Sequence, residues 1–540
     1  MWFKQPIRVV FLFFAVFMLF GALTSVNIYE TVAQMHIALI LSAVVFVGLC
    51  FVAVFRKKPE VLNKLKHTLF SSKKRRVISA AIFCAAIVIY QSALILTIHS
   101  RYGFDPDHMA YLVWMSYFRK VKYAKDMYLS YYPNNHFLYL VMYWVSKITE
   151  RPHGGVYDLL NMFCIDFSIL VTALAAGKKY GKRNGYIALI IGGFVLGVSP
   201  TVLVFYTDTA VLPFVSVGLL FIAYYDTEVS FKKHATKGFF LGLMAVFTYW
   251  MKPSAVIPYI AAAIVFLLAT VSKTFRRENK ERDLNASEKQ TVKTSPLENS
   301  SKEKSIFFAK AAILVIICSL TFLGANSAFR GYIGRQTIFA YDEDLRFPPT
   351  HFVMMGLSQP VGGFSLEDYI ATRDAGNYDE KIAFHITEIS KRLDAFGFMG
   401  YVEFLGRKLV ANTSDGTFFF RGEGDSATLA YLKSDAWLTN LVGSFYFQDG
   451  SNYDIFRLYS QLVWVVVLIG VLLSAKDRDI YTDVLRLAVI GGMVYLLLFE
   501  GGRSRYLIQF LPFIIILSTI GLSSVREHFQ KGVEHRPASD

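Results

Sequence analysis

Charge is what this sequence is short of. Asp, Glu, Lys and Arg make up 18% of its 540 residues, against about 25% in ordinary soluble domains. The deficit is concentrated in apolar blocks of roughly 18–22 residues, the length that crosses about 30 Å of hydrocarbon. That pattern excludes a soluble globular protein and indicates a polytopic membrane protein. Cysteine is scarce too. Cys50, Cys84, Cys164 and Cys318 all lie inside apolar runs, with neither CxxC nor metal-ligand spacing. They read as small buried hydrophobes. No GxGxxG or P-loop pattern is present, and no sizeable cytoplasmic domain is left over to hold a nucleotide sugar.

Positive charge is in excess, with a formal net charge of +15, but its distribution argues against a nucleic-acid partner. RKK at 56–58, KKRR at 73–76, KKYGKR at 178–183, FKKH at 231–234 and FRR at 275–277 sit in short loops between apolar runs. The positive-inside rule places such loops in the cytoplasm. Twelve spans follow, near 9–26, 36–55, 77–98, 158–177, 185–205, 210–225, 237–250, 254–272, 306–326, 457–474, 483–500 and 506–524. The first follows MWFKQPIR and reads as a retained helix, since no small-residue cleavage site and soluble domain come after it. Both termini then fall inside, and 99–157 and 327–456 fall outside.

The chain divides accordingly. Residues 1–76 hold two spans and a basic loop, 77–326 a membrane core, 327–456 an extracytoplasmic domain, and 457–540 the last spans and a basic cytoplasmic tail. HFLYLVMYWVSKI at 136–148 is too short to cross, and crossing would force KKYGKR outside; it reads as an interfacial helix on the outer leaflet. YLVWMSYFRKVKYAKDMY at 111–128 has the same mixed character. The charged stretch 275–304 reads as a disordered cytoplasmic linker. The 327–456 region has globular composition and is expected to be mixed α/β or irregular.

Polar residues collect on the external side. RYGFDPDHMAY supplies Asp105, Asp107, His108 and Tyr111; YYPNNH supplies Tyr132, Asn134 and His136. SPTVLVFYTDTA supplies Tyr206 and Asp208, YWMKPSAV supplies Lys252, and EGGRSRY supplies Glu500, Arg503, Arg505 and Tyr506. Each has an ordinary structural reading, as a turn or helix cap for the aspartates and a snorkelling anchor for Lys252 and Arg503. Their gathering at the ends of spans on one leaflet suits a polar active site at the membrane surface.

In order and spacing these motifs resemble the GT-C glycosyltransferases, polytopic enzymes using polyprenyl-phosphate sugars, among them lipid A aminoarabinose transferases and protein O-mannosyltransferases. DHMAY matches their external acidic motif, with Asp107 as the acid and Tyr111 as the Tyr. His108 stands where a second acid is common. YYPNNH matches the Tyr-Pro motif opening a surface helix. KKYGKR, SPTVLVFYTD, Lys252-Pro253, and Glu500 followed by Arg505-Tyr506 match later landmarks. The resemblance covers roughly 77–272 and 483–524, with two additional helices ahead of the usual first span. More loosely, THFVMMGLSQPVGGFSLEDY and KLVANTSDGTFFF resemble external segments of Gram-positive relatives thought to decorate cell-wall polymers.

The resemblance implies sugar transfer from a polyprenyl-phosphate donor to an extracytoplasmic glycan such as a wall polysaccharide or teichoic acid. Such a reaction needs a base for the acceptor hydroxyl and cations for the departing phosphate. Asp107, alone or with Asp105, is the candidate base. Lys252, Arg503 and Arg505 are the candidate cations, Arg being suited to bidentate phosphate contact. Asp105-Pro106-Asp107 also has DxD spacing, whose hard oxygens suit Mg²⁺ or Mn²⁺, though several relatives work without metal. Two other classes stay open: a lipid-linked sugar or polymer flippase, and a noncatalytic wall-polymer-binding protein. Against transport, no inverted repeat is evident, and Asp166 is the main ionisable residue within a span.

Overall fold

The computed structural model describes residues 2–28, 72–98, 105–118, 127–151, 154–224, 230–287, 296–361, 363–420 and 435–534, with backbone alone for 105–107, 118, 154, 273–287, 296–308, 311 and 525–534. The expected span at 36–55 and Cys50 lie outside these residues. Eight described helices are long and apolar enough to cross a membrane, and no strand occurs among the described residues.

Helix α1 (Lys4–Leu23) is followed by α2 (Lys73–Thr97), which Ser72 caps at the amide of Arg75. Next come α3 (Asp105–Phe118) and α4 (His136–Thr149). At 14 residues, α4 spans only about 21 Å. It packs against α3 and exposes Trp144 and Ile148, one helical turn apart. The core continues with α5 (Gly154–Tyr180), α6 (Lys182–Gly192), α7 (Leu212–Ala223), α8 (Phe231–Met251), α9 (Ile257–Ser287) and α10 (Pro296–Ile333). A π-helical turn at Gly193–Gly197 extends α6. There Gln91 bonds both the Gly197 carbonyl and Asp166, each at 3.1 Å, so Asp166 is engaged in holding helices together.

The stretch 275–304 has helical backbone over 275–287 and 296–304. Its Glu, Lys, Arg and Ala residues are good helix formers, and they extend helices already nucleated in the apolar runs. The 327–456 region, expected to be mixed α/β or irregular, carries helices and no strand among its described residues: α11 (Pro349–Met355), α12 (Leu366–Asp374), α13 (Tyr378–Thr413) and α14 (Trp437–Tyr446). Local caps decide this. Ser365 accepts from the Asp368 amide, and Asn377 forms a reciprocal capping box with Glu380, satisfying amides that a helix start leaves orphaned.

The chain ends with α15 (Tyr453–Leu473), α16 (Ile480–Phe499) and α17 (Leu511–Glu534). The last span is the hub, with 89% of its apolar window buried, against 6% for α10. Helix α10 docks on α8 through Gly238 and Gly242. A Cβ on either would fall 2.6 Å from the Leu314 carbonyl or 2.5 Å from that of Cys318. This is the small-xxx-small contact by which helices approach closely in lipid. Of the described cysteines, Cys164 is buried and Cys84 and Cys318 are half-buried.

The two ends of the bundle differ chemically. Lys4 at the start of α1 pairs with Asp483 at 3.0 Å, and Lys179 at the end of α5 pairs with Asp479 at 3.2 Å. The starts of α1 and α16 and the end of α5 therefore meet at one end. The other end carries the remaining motifs.

Candidate active site

Lys252 is the last residue before a proline. Proline disfavours helical geometry in the residue ahead of it, and Lys252 is accordingly extended, with φ −156° and ψ 106°, where α8 stops. A 3₁₀ turn, Pro253–Val256, follows, and Ser254 donates from Oγ to Gln509 Oε1 at 2.7 Å. Gln509 belongs to a second 3₁₀ turn, Ser504–Phe510, which carries Arg505 and Tyr506. The Ser254–Gln509 bond thus staples the turn bearing Lys252 to the turn bearing Arg505.

Asp208 enters from a third element. Asn161 on α5 donates to the carbonyls of Thr201 and Val202 at 2.9 and 2.8 Å, fixing the turn after Pro200. The chain then passes through extended Tyr206 into the short helix Thr207–Ala210. The buried Asp208 carboxylate takes the Lys252 ammonium on Oδ1 and faces Arg505 Nε on Oδ2 at 3.3 Å. Tyr506 lies beneath both cations, its ring centre 5.2 Å from each, and Tyr206 lies 5.7 Å from the Arg505 guanidinium. Two cations, one carboxylate and two aromatic faces, drawn from three separate stretches, form one partly desolvated cluster.

From Tyr206 the network runs on to the first external motifs. Asn135 donates to Tyr128 Oη at 2.9 Å and to Tyr206 Oη at 3.1 Å, and the His108 ring packs edge-on against Tyr128 at 5.0 Å. Asp105 and Asp107 lie in the first turn of α3, adjacent to His108. Their side chains lie outside the described residues. Among the described residues no group of three or more His, Cys, Asp or Glu is placed to hold a metal ion.

Glu500 completes the cluster from the end of α16. Burial pushes its carboxyl up to about 7, Asp208 pushes the same way, and Lys252, Arg505 and Lys408 oppose. Lys408 comes from α13 and is fully buried. Its ammonium donates to the carbonyls of Gly356 at 2.5 Å and Leu497 at 2.8 Å, and burial lowers it to about 8. The last carbonyls of a helix have no partner of their own, so Lys408 both caps α16 and fastens α11 and α13 to the site.

Other sequence candidates stand elsewhere. Asn134 is exposed, while its neighbour Asn135 is buried in the network. Tyr111 is exposed beside Trp114, and Tyr132 packs among Tyr128, Phe347 and Phe352. His136 is buried, with Nε2 2.7 Å from the Leu129 carbonyl and its ring against Phe339 and Tyr341. Burial pushes its pKa down to about 4, which suits a neutral ring holding the 128–132 segment in shape. Arg503 lies over Phe419 at 5.7 Å and against Gly363, where a Cβ would meet its guanidinium.

Sequence reasoning missed Tyr128, Asn135, Lys408 and Asp415. Asp415 accepts from the amides of Thr417 and Phe419, each at 2.8 Å, and from Ser504 Oγ at 3.2 Å. It thereby holds Phe418 and Phe419 at φ 55° and 60°, a region that side-chain-bearing residues rarely occupy. Nothing in the sequence separates Asn135 from Asn134.

A family model described as "conserved hypothetical integral membrane protein" matches residues 1–525. No curated protein matches the chain. The match takes in helices α1 to α16 and every residue of the cluster, and the chain belongs to this family of integral membrane proteins.

Proposed function

We propose that the protein is a GT-C-type glycosyltransferase of the cell membrane, moving a sugar from a polyprenyl-phosphate donor to an acceptor on the outer side, a wall polysaccharide or teichoic acid. The observation that carries this reading is the convergence of Lys252 and Arg505 on buried Asp208 at the end of the bundle away from the basic clusters. Such a cluster holds two cations ready for a phosphate without a large solvation change when it arrives. Asp208 keeps them apart and compensated until phosphate oxygens take its place.

In the reaction the acceptor oxygen attacks the anomeric carbon while Asp107 accepts the hydroxyl proton. The bond from that carbon to the phosphate oxygen breaks, and its electron pair leaves with the polyprenyl phosphate, held by Lys252 and Arg505. A single in-line displacement inverts the anomeric centre. General-base help of this kind supplies about 10²–10⁴-fold. His108, Tyr128, Asn135 and Tyr206 link the start of α3 to the cations, and the sugar would sit beside them.

The test is binding of polyprenyl phosphate against the uncharged polyprenol by the reconstituted protein. Charge-assisted hydrogen bonds contribute about 1.5–3 kcal/mol. Arg505→Met and Lys252→Met are therefore each expected to weaken phosphate binding by about 10- to 100-fold, leaving polyprenol unaffected. Equal binding of phosphate and alcohol by the wild type would sink the reading.

A further inference from the structure

Helix α13 breaks at Gly397, where φ is 58° and ψ 176°, a conformation that glycine adopts without steric cost. Just past this elbow, Phe398 is 77% exposed, Met399 76% and Val402 51%. Large apolar side chains so exposed and so close together mark a surface that something covers.

Two anchors fix the level at which this half of α13 lies. Its end packs on Gly21, near the end of α1, where a Cβ would lie 3.4 Å from Ser414 and 3.5 Å from Val410. Lys408 is bonded to the Leu497 carbonyl in the last turn of α16. Both contacts fall near the ends of membrane spans, and Phe398 lies about 15 Å of helix from Lys408. Side chains four apart share a helix face, so Phe398 and Val402 lie on one side of α13, and α1 itself exposes Phe20, Leu23 and Val26 at the end where α13 packs. The Glu403–Arg407 pair, at 3.0 Å, is exposed beside Val402.

A second helix at this end repeats the pattern. Helix α14 packs beside the start of α15, with Tyr446 against Phe456 at 5.0 Å, and exposes Trp437 and Leu441 one turn apart. Tryptophan and apolar residues on one face of such a helix are the signature of an element lying in the headgroup layer.

We infer that the Gly397 elbow is a monotopic membrane anchor, with Phe398, Met399 and Val402 seated at the boundary between headgroups and acyl chains. The occupant of the exposed face is the bilayer. The inference stands independently of the proposed transfer reaction. It keeps the external helices level with the membrane surface, and through Lys408 it ties that level to the end of α16.

The experiment uses the full chain in lipid nanodiscs, with Cys50, Cys84, Cys164 and Cys318 replaced and an NBD label introduced at Phe398→Cys. Val402→Cys repeats the measurement at an independent position, and Lys391→Cys, at an exposed charged site before the elbow, reports the aqueous side. Lipids carrying doxyl quenchers at shallow or deep positions are then compared. The labels at 398 and 402 are expected to show blue-shifted emission and lose most of it to the shallow quencher, less to the deep one, while that at 391 stays water-like and unquenched. Water-like, unquenched emission at 398 and 402 would overturn the inference. So would blue-shifted emission that neither quencher reaches, because protein would then be covering the face.

Discussion

Asp208 faces two cations from a site with almost no access to water, so replacing it with asparagine has a calculable consequence. At about 4 Å and an effective dielectric of about 20, each unit pair is worth roughly 4 kcal/mol of gross attraction. Desolvation of the three groups offsets much of that. What remains is the measured cost of breaking such pairs, about 3–5 kcal/mol when one partner is removed and the other stays buried. Asp208→Asn removes the carboxylate between Lys252 and Arg505 and leaves Glu500 as their remaining acid, so a loss within that range is expected. Asp208→Asn combined with Lys252→Met removes one of the stranded charges and should recover at least half of the loss. The assay is reversible unfolding in mixed detergent micelles, read as a double-mutant cycle. A loss for Asp208→Asn below about 1 kcal/mol, the range of solvent-exposed pairs, would refute the picture of a desolvated cluster.

Other expectations follow from the same geometry. Glu500 titrates at about 7 in the fold against an ordinary value of 4.5, so the folded state holds the extra proton and stability falls as pH rises between those values. Glu500→Gln should flatten that dependence in the same unfolding assay. The histidines of α11 and α13 have the opposite sign. His351 and His385 share Thr372, with bonds of 2.8 and 2.9 Å, and burial lowers them to about 3 and about 4. Their contribution is present above the ordinary value of 6.5 and is lost as pH falls toward 4; amide exchange in α11–α13 should accelerate over that window and not in α16. Asn135→Leu should impair sugar transfer where Asn134→Ala does not, since only Asn135 reaches Tyr128 and Tyr206. Gly242→Leu forces a side chain into the Cys318 carbonyl and should destabilise the α8–α10 contact by about 1–3 kcal/mol, seen as a lower unfolding midpoint.

Much of this was legible because membrane thickness constrains a sequence strongly. The apolar runs locate the eight described helices long enough to cross. Lys252 was legible because a proline follows it, and Asp208, Glu500 and Arg505 because they stand at the ends of apolar runs away from the basic loops. Three things were not legible. Asn135 differs from Asn134 only in which way a 3₁₀ turn points it. Lys408 sits in a sequence that reads as an exposed amphipathic helix, and only the docking of α13 on α16 buries it. The helices of 327–456 were hidden because its aromatics, glycines and charges read as an ordinary globular composition, whereas the capping residues Ser365 and Asn377 set the local structure.

The central claim is that this cluster transfers a sugar with Asp107 as the base. Purified, reconstituted wild type and Asp107→Asn should be compared in transfer from a panel of undecaprenyl-phosphate sugars to a cell-wall acceptor. The claim predicts that the wild type transfers from at least one donor and that Asp107→Asn, folded and still binding polyprenyl phosphate, loses about 10²–10⁴-fold in rate. Transfer by Asp107→Asn at the wild-type rate would contradict it.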